Sequence, residues 1–205
     1  MMAIIVQKFG GSSLADTAKV MAVARRVVRT VQEGHEVVVV VSAQGKTTDE
    51  LIEQAHAVSP NPPKRELDML LATGEQVSIA LLAMAIDALG QRVISLTGAQ
   101  GGIMTDTQHT KARIRLVDGM RIRTELAKGQ VVIVAGFQGM TSTNDITTLG
   151  RGGSDTTAVA VAAALGASAC EIFTDVDGVY SADPRLVPDA RKLEQVDYGE
   201  MLELA

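Results

Sequence analysis

Residues 36–43 read EVVVVVSA. Five successive valines leave no polar face, the pattern of a strand buried on both sides within a parallel sheet. Upstream, Ile4-Ile5-Val6 is a second apolar, β-branched run. Between the two runs Val20, Val23, Val27 and Val31 recur at helical spacing, Asp16 can cap the start and Gly34 can end it. The unit is strand, helix, strand.

The alternation continues along the chain. Residues 49–58 are helical in pattern, Ser59-Pro60-Asn61-Pro62-Pro63 is a break, and residues 66–89 form a long helical stretch expected to be interrupted near Gly74. A strand at Val93–Leu96 follows, then a turn-rich segment with Gly98, Gly101 and Gly102, a moderately helical stretch over 116–126 and a buried strand over 131–134. Residues 136–150 read as an exposed hairpin or loop, 154–165 as an Ala/Val helix ended by Gly166, and 171–173 as the last clear strand. Such alternation predicts an α/β fold with a mainly parallel central sheet covered by helices on both faces. Ligands of such sheets bind at the carboxyl ends of the strands.

With 205 residues, 46% of them hydrophobic, the chain can bury one substantial core, and one domain over residues 1–205 is expected. A net charge of −5 and only short basic clusters argue against nucleic acid. Aromatic residues make up 2% and tryptophan is absent, so stacking surfaces are not indicated and the ligand should be polar. Cys170 is the sole cysteine, which excludes an internal disulfide and a thiolate metal cluster and suits a reducing compartment, by default the cytoplasm. The first residues show neither a basic leader nor a cleavage site, and no apolar stretch near the 18 or so residues of a membrane span is expected.

Lys8-Phe9-Gly10-Gly11-Ser12-Ser13 leaves the first strand and is expected to enter the first helix, so that backbone N–H groups and a positive helix end face an anion, with Lys8 adding a full charge. A plain tight turn is the competing account. Gly45-Lys46-Thr47 is not a P-loop, because Val40 stands where the motif needs its first glycine. Gly150-Arg151-Gly152-Gly153-Ser154-Asp155 is not a dinucleotide fingerprint either, since Asp155 occupies the third glycine position.

That second segment is nevertheless the more informative. Arg151 can grip a carboxylate bidentately, Gly152 and Gly153 permit close approach, and Asp155 can accept from an ammonium group at a helix start. Such a cluster can hold an amino acid. Simple N-capping by Ser154 or Asp155 is the competing account. Thr174-Asp175-Val176-Asp177-Gly178-Val179-Tyr180-Ser181-Ala182-Asp183-Pro184-Arg185 follows the last strand as a polar loop with a turn at Asp177-Gly178. Its aspartates lack EF-hand spacing. His35, His56 and His109 are scattered and read as surface or loop residues, Cys170 as packing, and Glu75 as a carboxylate at an irregular point of a helix. No metal site is indicated.

Lys8 to Ser13, Ser42 to Asp49, LDMLLATGEQVS over 67–78, Leu149 to Thr157 and Ile172 to Arg185 together resemble, in order and over nearly the whole chain, the aspartate kinases of the amino acid kinase family. The resemblance implies a three-layer α/β/α sandwich of the amino acid kinase fold, with ATP and Mg²⁺ carried by the nucleotide, and L-aspartate as acceptor. It implies that Lys8 and Asp155 are catalytic, that Lys8, Gly10, Gly11 and Ser12 cradle the ATP phosphates, and that Phe9 and Ser42 belong to the same ATP site. Thr174, Asp175, Tyr180, Asp183 and Arg185 would make adenosine and phosphate contacts, and Ser181 would bind ATP beside them. Thr48, Glu75, Arg151, Gly152, Gly153, Ser154 and Asp155 would bind aspartate, with Arg151 on a substrate carboxylate and Glu75 and Asp155 near its ammonium. In the family a Gly-x-Lys segment, whose lysine reaches the phosphates, and regulatory ACT domains lie beyond the helix expected over 198–205. The chain is therefore expected to be a shortened catalytic domain. The resemblance further implies a homo-oligomer for the full-length protein, a regulatory ACT-domain chain as a partner, and a place in lysine, threonine and methionine biosynthesis. Alternatives are another member of the family, acting on glutamate, acetylglutamate, carbamate or UMP, a non-catalytic ATP-binding fragment, and more distantly a dehydrogenase.

Overall fold

A computed structural model describes residues 3–175, 178–197 and 199–201. The turn residue Asp177 and, apart from residues 199–201, the helix expected over 198–205 lie outside the described residues. The chain divides into two compact units, Met1–Phe173 and Thr174–Ala205.

In the first unit the elements run β1 (Ile4–Phe9), a 3-10 turn (Gly11–Leu14), α1 (Thr17–Gln32), β2 (Glu36–Val41), α2 (Thr47–Val58), α3 (Lys64–Asp87), β3 (Val93–Leu96), β4 (Ile103–Thr105) and β5 (Ile114–Val117). Next come α4 (Met120–Leu126), β6 (Val131–Ala135), β7 (Gln138–Met140), β8 (Ile146–Thr148), α5 (Gly153–Leu165) and β9 (Ala169–Phe173). The main sheet has the order β3-β6-β2-β1-β9 and every pairing in it is parallel. A smaller sheet, β5-β4-β7-β8, is mixed.

The valines of β2 explain the layering. Val37, Val39 and Val41 point to one side, into a core with Val20, Val23 and Val27 of α1 and Ile79, Leu82 and Ile86 of α3. Val38 and Val40 point to the other, against Ile122 and Leu126 of α4 and Ala158, Val161 and Leu165 of α5. A strand's period of two thus distributes one apolar run between two cores, and the result is a three-layer α/β/α sandwich. The caps follow the sequence. Asp16 accepts from the Lys19 backbone N–H at 2.8 Å, and Gly34 and Gly166 sit at positive φ just past α1 and α5.

Several local expectations are corrected. The chain does not pass from β1 straight into α1; the 3-10 turn intervenes and α1 begins at Thr17, so the α1 dipole is not aimed from the Gly10-Gly11 turn. Residues 116 and 117 belong to β5 rather than to a helix. Residues 136–150 do contain an antiparallel hairpin, β7-β8, but it is not exposed: Gln138, Thr141, Thr147 and Thr148 are all buried.

Helix α3 is unbroken through Gly74 over its 24 residues. It is also long and apolar enough by length and composition to cross a membrane, contrary to expectation, with half of its most apolar window buried in the fold. The glycine there serves contact rather than interruption. A Cβ at Gly74 would lie 2.9 Å from the Ala43 Cβ. Gly74→Ala should therefore lower stability by about 1–3 kcal/mol through overpacking, although alanine is the better helix former by roughly 1 kcal/mol. Adding Ala43→Gly should recover most of the loss, as read from urea denaturation midpoints.

Candidate active site

The carboxyl ends of β1, β2 and β6 open into a cleft of about 430 Å³, a volume typical of small-molecule sites. Lys8 comes from β1, Ser42 follows β2 and Phe137 follows β6. The start of α2 contributes Thr48 and Asp49, and α3 contributes Leu67, Leu71 and Glu75 on one face. The turn before α5 brings Arg151, Gly152, Gly153, Ser154 and Asp155 to the same space.

Lys8 is 8% exposed, and its Nζ lies 2.7 Å from Asp155 Oδ1. In the free protein these two residues, one read as phosphate-facing and the other as ammonium-facing, neutralise each other. The close approach of their elements depends on missing side chains. A Cβ on Gly136, after β6, would sit 2.7 Å from Ser154 Oγ, and one on Gly11 would sit 2.5 Å from the Ala43 carbonyl oxygen. The turn itself uses left-handed backbone at Gly150 and Gly152. Gly152 is the N-cap of α5 and no side chain caps this helix, so capping does not account for Ser154 and Asp155. Arg151 is exposed at the cleft, and its guanidinium has no ion-pair partner among the described residues.

Glu75 is 2% exposed. Its Oε1 accepts from the Ala43 backbone N–H at 3.1 Å, while Oε2 is buried without a hydrogen-bond partner. Burial pushes this carboxyl up to about 7, against the opposing pull of the backbone N–H groups of Glu75 and Ala43 and of the Gln138 side chain. Because α3 is continuous, Glu75 is not at a helix break as expected; it faces the cleft from a regular helix.

Other expected residues lie elsewhere or contribute differently. The Phe9 ring is 2% exposed and stacks on Phe173 with centroids 4.7 Å apart, so the ring is not offered to the cleft, and its carbonyl accepts from the Ser42 N–H at 3.2 Å. Gly10, Gly11 and Ser12 form the turn after β1, where a Cβ on Gly10 would come 3.6 Å from Lys8 Nζ. Thr174, Asp175, Tyr180, Ser181, Asp183 and Arg185 belong to the second unit. There Tyr180 pairs with Lys192 in an antiparallel bridge, and Asp175, Tyr180, Asp183 and Arg185 line a groove of about 560 Å³. Arg185 forms a 2.8 Å ion pair with Asp183, which holds that carboxyl below its ordinary range. Cys170 packs against the α5 side of the sheet and burial pushes its thiol up, as suits packing rather than nucleophilic chemistry. Among the described residues no group of three or more His, Cys, Asp or Glu could hold a metal ion.

One cluster was not anticipated. Asp68, Thr110 and Thr148 meet at the cleft wall together with His109, a loop residue whose ring Nδ1 lies 2.7 Å from Asp68 Oδ2. The available signal was an aspartate in an apolar helix, two turns before Glu75.

Comparison with known proteins gives one consistent result. The sequence profile described as the amino acid kinase family matches residues 3–205. The chain is 60% identical over 204 residues to an aspartokinase of Geobacillus stearothermophilus and 58% identical over 205 residues to one of Mycobacterium tuberculosis, covering all of this chain and 50% and 49% of theirs. It thus spans about half the length of the curated relatives it matches. Among solved structures, aspartate kinase from Synechocystis superposes with a TM-score of 0.87 at 54% identity, over 98% of this chain and 33% of that one. E. coli aspartokinase III in complex with aspartate and ADP gives 0.86 at 26% identity, over 98% and 56%.

The Glu75 carboxyl carries a pH signature. The folded chain retains this proton between its ordinary value of 4.5 and about 7, where the unfolded chain releases it. The contribution to stability is full below pH 4.5 and is lost as pH rises through 7, a change on the order of 3 kcal/mol. Urea melts of the ligand-free protein from pH 4 to pH 8 should show this falling component, and Glu75→Gln should remove it.

Proposed function

The chain belongs to the amino acid kinase family, and from that premise we propose that residues 1–205 are the catalytic domain of an aspartate kinase, transferring the γ-phosphate of ATP to the β-carboxylate of L-aspartate. The observation that carries the reading is the meeting of Lys8, Thr48, Glu75, Arg151 and Asp155 in one cleft at the carboxyl ends of the strands. Identity of 58–60% to aspartokinases across the whole chain supports it, as does the likeness to an E. coli enzyme solved with aspartate and ADP.

The chemistry suits these groups. An aspartate side chain has a reference pKa near 3.9 and is ionised at neutral pH, so no general base is required. The difficulty is bringing an anion to an anionic phosphate in line. Arg151 supplies a bidentate grip for a substrate carboxylate. Asp155 and Glu75, the latter with an oxygen lacking a partner, supply acceptors for the ammonium. Binding an ammonium beside Glu75 favours its ionised form and offsets the upward push of burial. Lys8, released from Asp155 as phosphate approaches, spreads charge that develops on the transferring group.

The nucleotide is taken as its magnesium complex, the metal adding neutralisation of the phosphate oxygens. We assign Gly10, Gly11 and Ser12 to the phosphates beside Lys8, Phe9 and Ser42 to the same ATP site, and Thr174, Asp175, Tyr180, Ser181, Asp183 and Arg185 to the adenosine and phosphates of ATP. Thr48, Gly152, Gly153 and Ser154 complete the amino-acid pocket. In the whole protein we place this domain in the cytoplasm with regulatory ACT domains, in a homo-oligomer opening lysine, threonine and methionine biosynthesis.

Hydroxylamine trapping should detect ATP- and Mg²⁺-dependent aspartyl hydroxamate, assayed on this chain and on the full-length protein. Lys8→Ala should lower kcat by about 10²–10³ with a much smaller change in the aspartate KM. Arg151→Lys should instead raise the aspartate KM about tenfold or more, because an ammonium cannot reproduce the fork. Product from glutamate, acetylglutamate, carbamate or UMP, with none from aspartate, would overturn the assignment.

A further inference from the structure

Asp68 is 0% exposed, yet both its carboxylate oxygens are engaged. Oδ1 accepts from Thr148 Oγ1 at 2.6 Å and from the Thr110 backbone N–H at 3.0 Å. Oδ2 accepts from the same N–H at 3.1 Å and pairs with His109 Nδ1 at 2.7 Å. A carboxylate is withdrawn from water at this cost only where its partners are supplied, and here they come from two other segments. Thr110 is itself a non-glycine residue in left-handed backbone, φ 70°, a conformation that persists where its surroundings hold it. The Ala112 N–H donates to the Thr148 carbonyl at 2.9 Å, joining the same loop to β8.

Thr110 and Thr148 line the cleft, and Thr148 ends β8 two residues before the Gly150 turn that presents Arg151. Glu75 stands on α3 two turns beyond Asp68, on the same face. One rigid helix therefore carries the group proposed for the ammonium and also anchors the wall that carries the group proposed for a carboxylate. We propose that Asp68 is a positioning residue of the amino-acid pocket: without touching substrate, it sets the separation of Glu75 and Arg151 through Thr110 and Thr148.

The inference rests on the aspartate kinase reading, and kinetics separate the two. Asp68→Asn replaces one acceptor oxygen by a donor facing other donors, and Thr148→Val keeps the shape of the side chain without its hydroxyl. Each should raise the aspartate KM at least about tenfold, the scale of one lost charge-assisted hydrogen bond, while the ATP KM and kcat change by less than about threefold. Thr148→Ser, which restores the hydroxyl, should bring the aspartate KM most of the way back. A merely structural role would reduce the active fraction, and so apparent kcat, without moving that KM. If Asp68→Asn fails to fold, Thr148→Val decides. An active parent whose folded Thr148→Val variant keeps the parental aspartate KM overturns the inference alone. A parent that makes no aspartyl phosphate overturns the functional reading and this inference with it.

Discussion

Five consecutive valines, Val37 to Val41, cannot meet water on either side, and the architecture of the first unit follows from satisfying that constraint. Neighbouring parallel strands cover the edges of β2, with Val6 opposite Val38 on one side and Val132 opposite Val38 on the other. Helices α1 and α3 cover one face, and α4 and α5 the other. Parallel strands need crossovers, so every carboxyl end in the sheet points the same way. Lys8, Ser42 and Phe137 consequently emerge on one side and share one cleft.

What turns that edge into a chemical site is close approach combined with incomplete charge satisfaction. Gly11, Gly74 and Gly136 each lie where a Cβ would press within 3 Å of a neighbouring atom, so the strand ends, α3 and the start of α5 draw nearer than ordinary side chains would allow. Within the space so formed, Asp68 is fully partnered and Lys8 is paired with Asp155. Glu75 is not fully partnered, and burial pushes its carboxyl up to about 7. Asp68 and Glu75 are thus told apart by their hydrogen bonds rather than by their burial, since both are buried.

Much of this was legible in the chain. The valine periodicity of α1, its Asp16 cap, the ends at Gly34 and Gly166 and the strands β1, β2, β3 and β6 follow from local patterns that tertiary contacts reinforce. The smaller sheet was harder: β4, β7 and β8 have 3 residues each, too short for an alternation to declare itself. Gly74 was misread because a helical glycine signals weakness locally, whereas its use here is contact with Ala43, distant in sequence. His109 and Asp68 stand 41 residues apart, and Thr148 and Asp68 stand 80 apart, so nothing local links them.

The sequence by itself determined the layered α/β class, the parallel central sheet and the glycine-rich turns that follow β1 and precede α5. These depend on periodicity and on backbone conformations that particular residues favour. Tertiary structure alone decided that α3 runs unbroken, that Asp155 pairs with Lys8 in the free protein, that burial pushes the Glu75 carboxyl up and that Asp68 accepts hydrogen bonds from Thr110 and Thr148. Each of these is set by desolvation and by which groups arrive within hydrogen-bonding reach, and both depend on packing between segments remote in the chain.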